Sequence, residues 1–282
     1  PGTVTEFHPR AEAAWEAFGE ACPEASFFDG SGWRRILEEV FGHRTHYLCA
    51  KADGQIRGVL PLAEVKSLLF GHALVSTPFC VYGGVSADDE SARQALEEAA
   101  ARLAEERRLD HLALRNRSLR QPQWPRQDLY ATFRKGLVPD PETNFQAIPR
   151  KQRAMVRKGM EAGLEAEIDP DVDRLYPLYA ESVRNLGTPV FPLSYFRALK
   201  AEFGRDCEVL TITHQGRAVS SVLSFYFRDE VLPYYGGGNP AARDLKANDF
   251  MYWALMRHAV DQGVGVFDFG RSKRDTGSFR FK

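Results

Sequence analysis

No stretch of this 282-residue chain approaches the roughly 20 consecutive apolar residues that span a bilayer, and no signal-like apolar segment opens it. The expected compartment is the cytoplasm. The four cysteines, Cys22, Cys49, Cys80 and Cys207, form no CxxC pair, and the seven histidines have no ligand spacing, so reduced thiols and no metal are expected. GxSxG, HExxH and Walker loops are missing, which removes the usual serine hydrolases, zinc peptidases and P-loop enzymes. An excess of charge is missing too. Lys and Arg total 37 against 38 Asp and Glu, a formal net charge of −1, so no whole-molecule field draws the chain to duplex DNA. Any electrostatic site must be local.

What is present first is a repeat. Trp33 to Gly54 lies over Tyr195 to Gly216 at a gapless offset of 162 residues, with Arg35/Arg197, Leu37/Leu199, Phe41/Phe203, Gly42/Gly204, Leu48/Leu210 and Gly54/Gly216 identical. Both copies read as a helix closed by glycine, a strand, and a hairpin turn containing glycine. "VYGG" at 81–84 answers "YYGG" at 234–237, each followed by a helix and a strand. Asn248 is the expected N-cap of the second of these helices and Gly263 its end. The order specifies a mixed α/β unit used twice, a first domain over 1–140 and a second over 141–282. The join is expected in the proline-containing stretch 121–145. The chain begins at Pro1, without methionine. "GSFRFK" ends it within a strand-like alternation, so further residues beyond Lys282 are expected.

Two features carry chemistry. "PRKQRAMVRKGMEAG" (149–163) predicts a helix on which Arg150, Lys151, Arg153, Arg157 and Lys158 share one half of the surface with no acid among them, a pattern suited to phosphate. A solvated amphipathic face is the plainer reading. Arg115, Arg117, Arg120 and Arg126 form another basic run. The run Tyr234-Tyr235-Gly236-Gly237-Gly238 lets another group approach the backbone without Cβ interference, or simply makes a tight turn. Asp268, near a strand end, is placed either to orient a substrate amine or to cap a turn.

"LPYYGGGN", "DFMYWALMRHAVDQG", "VFDFGRS" and the terminal "GSFRFK", with the basic helix before them, resemble the FemAB family within the GNAT superfamily. The greatest similarity is to FemAB-like proteins associated with exosortase and exopolysaccharide systems. The resemblance covers nearly the whole chain and implies tandem duplicated GNAT-like domains, the second carrying the acyl-transfer site. Family members of known activity move an amino acid from aminoacyl-tRNA to an amine on a peptidoglycan precursor. It implies substrate-binding roles for Trp33, Arg34, Asp88, Arg153 and Arg157 and a catalytic role for Lys282; from the residues themselves Tyr82, Tyr234, Tyr235, Gly236 and Gly237 are expected to bind substrate and Asp268 to take part in catalysis. The expected function is N-acyl transfer to an amine of an anionic, phosphate-bearing or lipid-linked cell-envelope precursor, with no resident cofactor and with aminoacyl-tRNA or acyl-CoA as donor. Peripheral contact with the inner membrane is compatible with such a substrate. The coiled-coil arm of some tRNA-using members is absent, and "NPAARDLKAND" stands where the coenzyme A loop of GNAT enzymes belongs. An acyl-CoA dependent N-acetyltransferase and a non-catalytic binding module are the alternatives.

Overall fold

The computed structural model describes residues 2–69, 71–116, 130–273 and 280–282. The chain divides into two compact units, Pro1–Arg126 and Gln127–Lys282. The division falls earlier than residue 140 because strand Tyr130–Gly136 is paired within the second unit's sheet. Arg117, Arg120 and Arg126 lie outside the described residues. Arg115 is bound locally, its guanidinium donating to Cys80 O at 2.7 Å.

The first unit contains β1 (Thr3–Glu6), α1 (Glu12–Ala21), α2 (Gly32–Glu39), β2 (Thr45–Ala52), β3 (Gln55–Ser67), β4 (Gly71–Ser76), β5 (Ser86–Ala87), α3 (Glu90–Glu106) and β6 (His111–Ala113). Its sheet runs β1-β2-β3-β4-β6, antiparallel except that β4 and β6 are parallel. Alternation along β3 sends Leu60 and Leu62 against Leu96 and Ala100 of α3, while Val59 joins Trp15 of α1 and Tyr47 in a second cluster. The second unit contains β7 (Tyr130–Gly136), α4 (Pro141–Gln146), α5 (Arg150–Glu161), β8 (Glu165–Asp169), α6 (Leu175–Asn185), α7 (Leu193–Phe203), β9 (Cys207–His214), β10 (Arg217–Phe227), β11 (Glu230–Gly238), α8 (Pro240–Asp244), α9 (Ala247–Asp261) and β12 (Val266–Lys273). Its sheet runs β7-β12-β11-β10-β9-β8.

The two units repeat one fold, and the repeat holds to the residue. β2 and β9, and the starts of β3 and β10, stand at the same offset as the aligned sequences. The turns between them share left-handed backbone, φ 53° and 78° at Asp53-Gly54 and 51° and 75° at Gln215-Gly216. Gly42 and Gly204, which close α2 and α7, are also left-handed, at 66° and 54°. The likeness stops at the Tyr-Gly-Gly segments. Tyr235 to Gly237 lie within β11, whereas Tyr82 to Gly84 lie in a loop beyond the end of β4. Two expectations about ends are corrected. Helix α9 begins at Ala247 with left-handed Lys246, not Asn248, at its N-cap, and Arg280 and Phe281 are helical rather than strand.

Candidate active site

In the second unit, β11 and β12 are parallel neighbours only at Glu230/Val266 and Val231/Phe267. Beyond that point β11 stays paired with β10 as far as Gly238, while β12 stays paired with β7 as far as Lys273. Each strand carries an irregularity where they part: Tyr234 is the extra residue against β10, and Phe269 the extra residue against β7. A bulge bends its strand and increases the local twist, which opens the pair into a fork. On β12 the bend is held by Asp268, which is 1% exposed and accepts the Gly270 N–H at 2.7 Å, and by Gly270 at φ 70°. Asp268 is therefore a turn-capping residue of β12.

A cleft of about 450 Å³ lies along the β11 arm. Pro233 to Gly238 form its floor, with Ser182 of α6, Asn239, Arg243, Asn248 and Tyr252 among the residues around it. Among its described lining residues Arg243 carries the one charge, and none is a carboxylate or an imidazole. The polar atoms at the glycine end are tied to one another. Ser182 Oγ accepts the Gly238 N–H at 3.0 Å and donates to Gly238 O at 3.1 Å, and Ser220 Oγ donates to Gly237 O at 3.3 Å. The Tyr235 and Tyr195 hydroxyls meet at 2.8 Å, and Tyr234 packs edge-on against the Tyr235 ring at 4.7 Å.

The glycines answer to the protein's own backbone. A Cβ on Gly237 would overlap the Leu178 carbonyl of α6, one on Gly236 would stand 2.8 Å from Ser221 O, and one on Gly238 2.9 Å from Ala242 Cβ. None of the three has positive φ. Close packing against β10, α6 and α8 removes their side chains, and the resulting flat strand is the surface the cleft exposes.

The C-terminal residues reach the same place. The Phe281 ring packs edge-on against Tyr252 at 5.1 Å, and Lys282 Nζ donates to Arg271 O at 2.9 Å, close to Gly270 at the fork. Burial pushes the Lys282 ammonium pKa down, against the attraction of Asp268. On α5, the exposed Arg157 lies over the Phe145 ring at 5.2 Å, and the half-buried Arg153 donates to Gln146. Arg150, Lys151 and Lys158 are exposed.

The remaining residues named from sequence belong to the first unit. Trp33 is 1% exposed and packed on Phe27 and Phe28, and Tyr82 is buried against Phe28. Both side chains are buried among aromatic neighbours. Arg34 pairs with Glu38 at 3.0 Å over the Phe7 ring, and Asp88 pairs with Arg57 at 3.1 Å. Sequence reasoning did not find Ser182, Arg243 or Tyr252. Ser182 carries no sequence signal, whereas Arg243 and Tyr252 sit in the loop and helix directly after the glycines.

A mixed sheet whose parallel pair, β11 and β12, opens into a fork beside a helix is the architecture of acyl-transfer domains of the GNAT type. Residues 147–282 match the acetyltransferase (GNAT) domain family, so the second unit is a GNAT domain of the acyltransferase class. The whole chain has the fold of the crystal structure of FemX, at 14% identity, covering 97% of this chain and 90% of that one with a TM-score of 0.71. It is similar as well to a tandem GNAT protein from the clavulanic acid biosynthesis pathway (15% identity, 100% and 93% covered, TM-score 0.57). A third similar fold is L-PGS from Bacillus licheniformis (14% identity, 96% and 79% covered, TM-score 0.53). No curated protein matches the chain in sequence.

Proposed function

We propose that the second unit transfers an aminoacyl group from an activated ester to an amine of a phosphate-bearing cell-envelope precursor. The observation that carries this reading is the fork. It presents an open strand edge, with Arg243 lining the cleft and Lys282 close to Gly270. Two local features disfavour the diphosphate of coenzyme A. Asn239 caps α8 with its own side chain, accepting from Ala242 N at 3.2 Å, and Pro240 has no N–H. The first turn of α9 carries Asp249, and an acid at a helix N-terminus opposes a bound anion.

In this reading the acceptor amine attacks the ester carbonyl carbon directly. The C–N bond forms, the carbonyl oxygen becomes an oxyanion, and the C–O bond to the ribose oxygen then breaks, that oxygen leaving with the proton lost by the amine. Lys282 stabilises the oxyanion, a contribution of about 3 to 4 kcal/mol for one well-placed donor. The rest of the rate comes from holding ester and amine together along the β11 edge. Arg243 holds the precursor's phosphate. The folds of FemX and L-PGS, and the resemblance of the second unit to the FemAB family, support this assignment of donor and acceptor class.

The clavulanic-pathway protein, whose structure is described as lacking AcCoA, favours acyl-CoA as the rival donor. Calorimetry with acetyl-CoA separates the two. Binding at micromolar concentration overturns the aminoacyl reading. Mass transfer from charged tRNA to an amine of a nucleotide-linked sugar peptide, detected by mass spectrometry, supports it.

A further inference from the structure

The edge of β11 that faces the fork is shorter than the strand itself. The Asn239 N–H donates towards β10, to Val219 O at 3.0 Å, whereas the Gly238 N–H and C=O point the other way, to Ser182 Oγ at 3.0 and 3.1 Å. Main-chain groups alternate in direction along an antiparallel strand, and the irregularity against β10 lies before this stretch, at Tyr234, so Gly237 faces β10 and Gly236 faces the fork. Gly236 and Gly238, both in the cleft floor, therefore direct their main-chain pairs away from β10. Ser182 occupies the second of these pairs.

This hydroxyl is fully committed. A serine O–H has one hydrogen to donate, and on Ser182 it goes to Gly238 O, so none is left for a substrate. The contact is built by the docking of α6 on the strand, where the Leu178 carbonyl lies over Gly237 and Ser182 Oγ would stand 2.7 Å from a Cβ placed there. A helical serine often turns its hydroxyl back to the carbonyl four residues earlier, which here is Leu178 O. Ser182 reaches to the strand edge instead.

We infer that Ser182 is a specificity-determining residue, closing the β11 edge beyond Gly236 and so turning away acyl donors carried on the pantetheine arm of coenzyme A. A chain that adds to a strand edge bonds to alternate residues. The pantetheine arm is an extended chain with two amides, and lying along this edge it needs Gly236 and Gly238 together. An aminoacyl ester has one carbonyl to place, and Gly236 alone serves it. The inference rests on the aminoacyl reading of the donor, and it assigns the discrimination to one side chain.

The test is calorimetric titration of acetyl-CoA into the wild type, Ser182→Gly, Ser182→Ala and Ser182→Thr. Removing the hydroxyl exposes the Gly238 pair, so Ser182→Gly and Ser182→Ala should bind acetyl-CoA at least about tenfold more tightly than the wild type, through the main-chain hydrogen bonds gained. Ser182→Thr keeps the hydroxyl and should match the wild type. A gain of affinity is a result that a damaged fold does not give, and if Ser182→Gly weakens α6, Ser182→Ala carries the comparison. The ratio to wild type decides this inference, and the wild-type affinity itself decides the donor reading. Micromolar binding by the wild type overturns that reading, while such a gain beyond it still identifies Ser182 as the closure. A serine that merely seals a strand edge would leave affinity for acetyl-CoA unchanged on its removal. Equal affinity across the four proteins, absence of binding in all of them, or an equal gain in Ser182→Thr overturns the inference.

Discussion

At the scale of single residues, Lys282, Arg243 and Gly237 divide the work of the cleft. Lys282→Ala should lower kcat about a hundredfold or more with little change in substrate binding, measured by single-turnover transfer, since its oxyanion contact forms only in the transition state. Arg243→Ala should instead raise KM about tenfold for a phosphorylated acceptor and leave an acceptor without phosphate unaffected, because it removes ground-state binding. Gly237→Ala tests the packing account of the glycines. The added methyl collides with the Leu178 carbonyl, and overpacking of this kind costs about 1 to 3 kcal/mol, read as a lowered denaturation midpoint. If the glycine instead only cleared room for substrate, stability would be unchanged and activity alone would fall.

At the scale of elements, the fork between β11 and β12 makes a prediction about protons. The described lining of the cleft along β11 holds no carboxylate or imidazole, and Asp268 at the fork is buried and bonded to the Gly270 N–H, so the rate should rise with pH until the acceptor amine is deprotonated, and the profile should move when an amine of different pKa is supplied. A profile fixed by the enzyme whatever the amine would show a hidden base. The elements were largely legible in the sequence: helix, strand and turn residues repeat at one offset, and Gly42, Gly54, Gly204 and Gly216 all have the left-handed backbone that glycine signals. The fork was not legible. It depends on which neighbour each strand keeps, and neither the extra residue at Tyr234 nor that at Phe269 differs locally from an ordinary strand residue. The burial of Trp33 and Tyr82 against Phe28 was not legible either, since resemblance and spacing do not say which side chains an aromatic residue packs against. The basic helix α5 was read correctly as a helix, yet packing of Arg157 on Phe145 is a tertiary fact no spacing reveals.

At the scale of the whole molecule, stability should have two titrating limbs. Burial raises the Glu64 pKa, but its bonds to Arg107 and His46 outweigh this and hold it at about 2, below the ordinary 4.5. Its contribution is present above pH 4.5 and is lost as pH falls towards 2. His258, raised above 6.5 by its bond to Glu208, acts the other way, contributing fully below pH 6.5 and losing that contribution as pH rises through its folded value. Denaturation midpoints across pH check both limbs. Glu64→Gln should flatten the acid limb and cost about 3 kcal/mol at neutral pH, the usual loss when one partner of a buried ion pair is removed. Finally, Asn116 follows β6 where the first unit would need its own opening: its side chain accepts Val85 N–H at 2.9 Å and fills the space beside Gly84. With one site, in the second unit as proposed, a titration of the intact chain with a substrate analogue should saturate at one equivalent, without cooperativity.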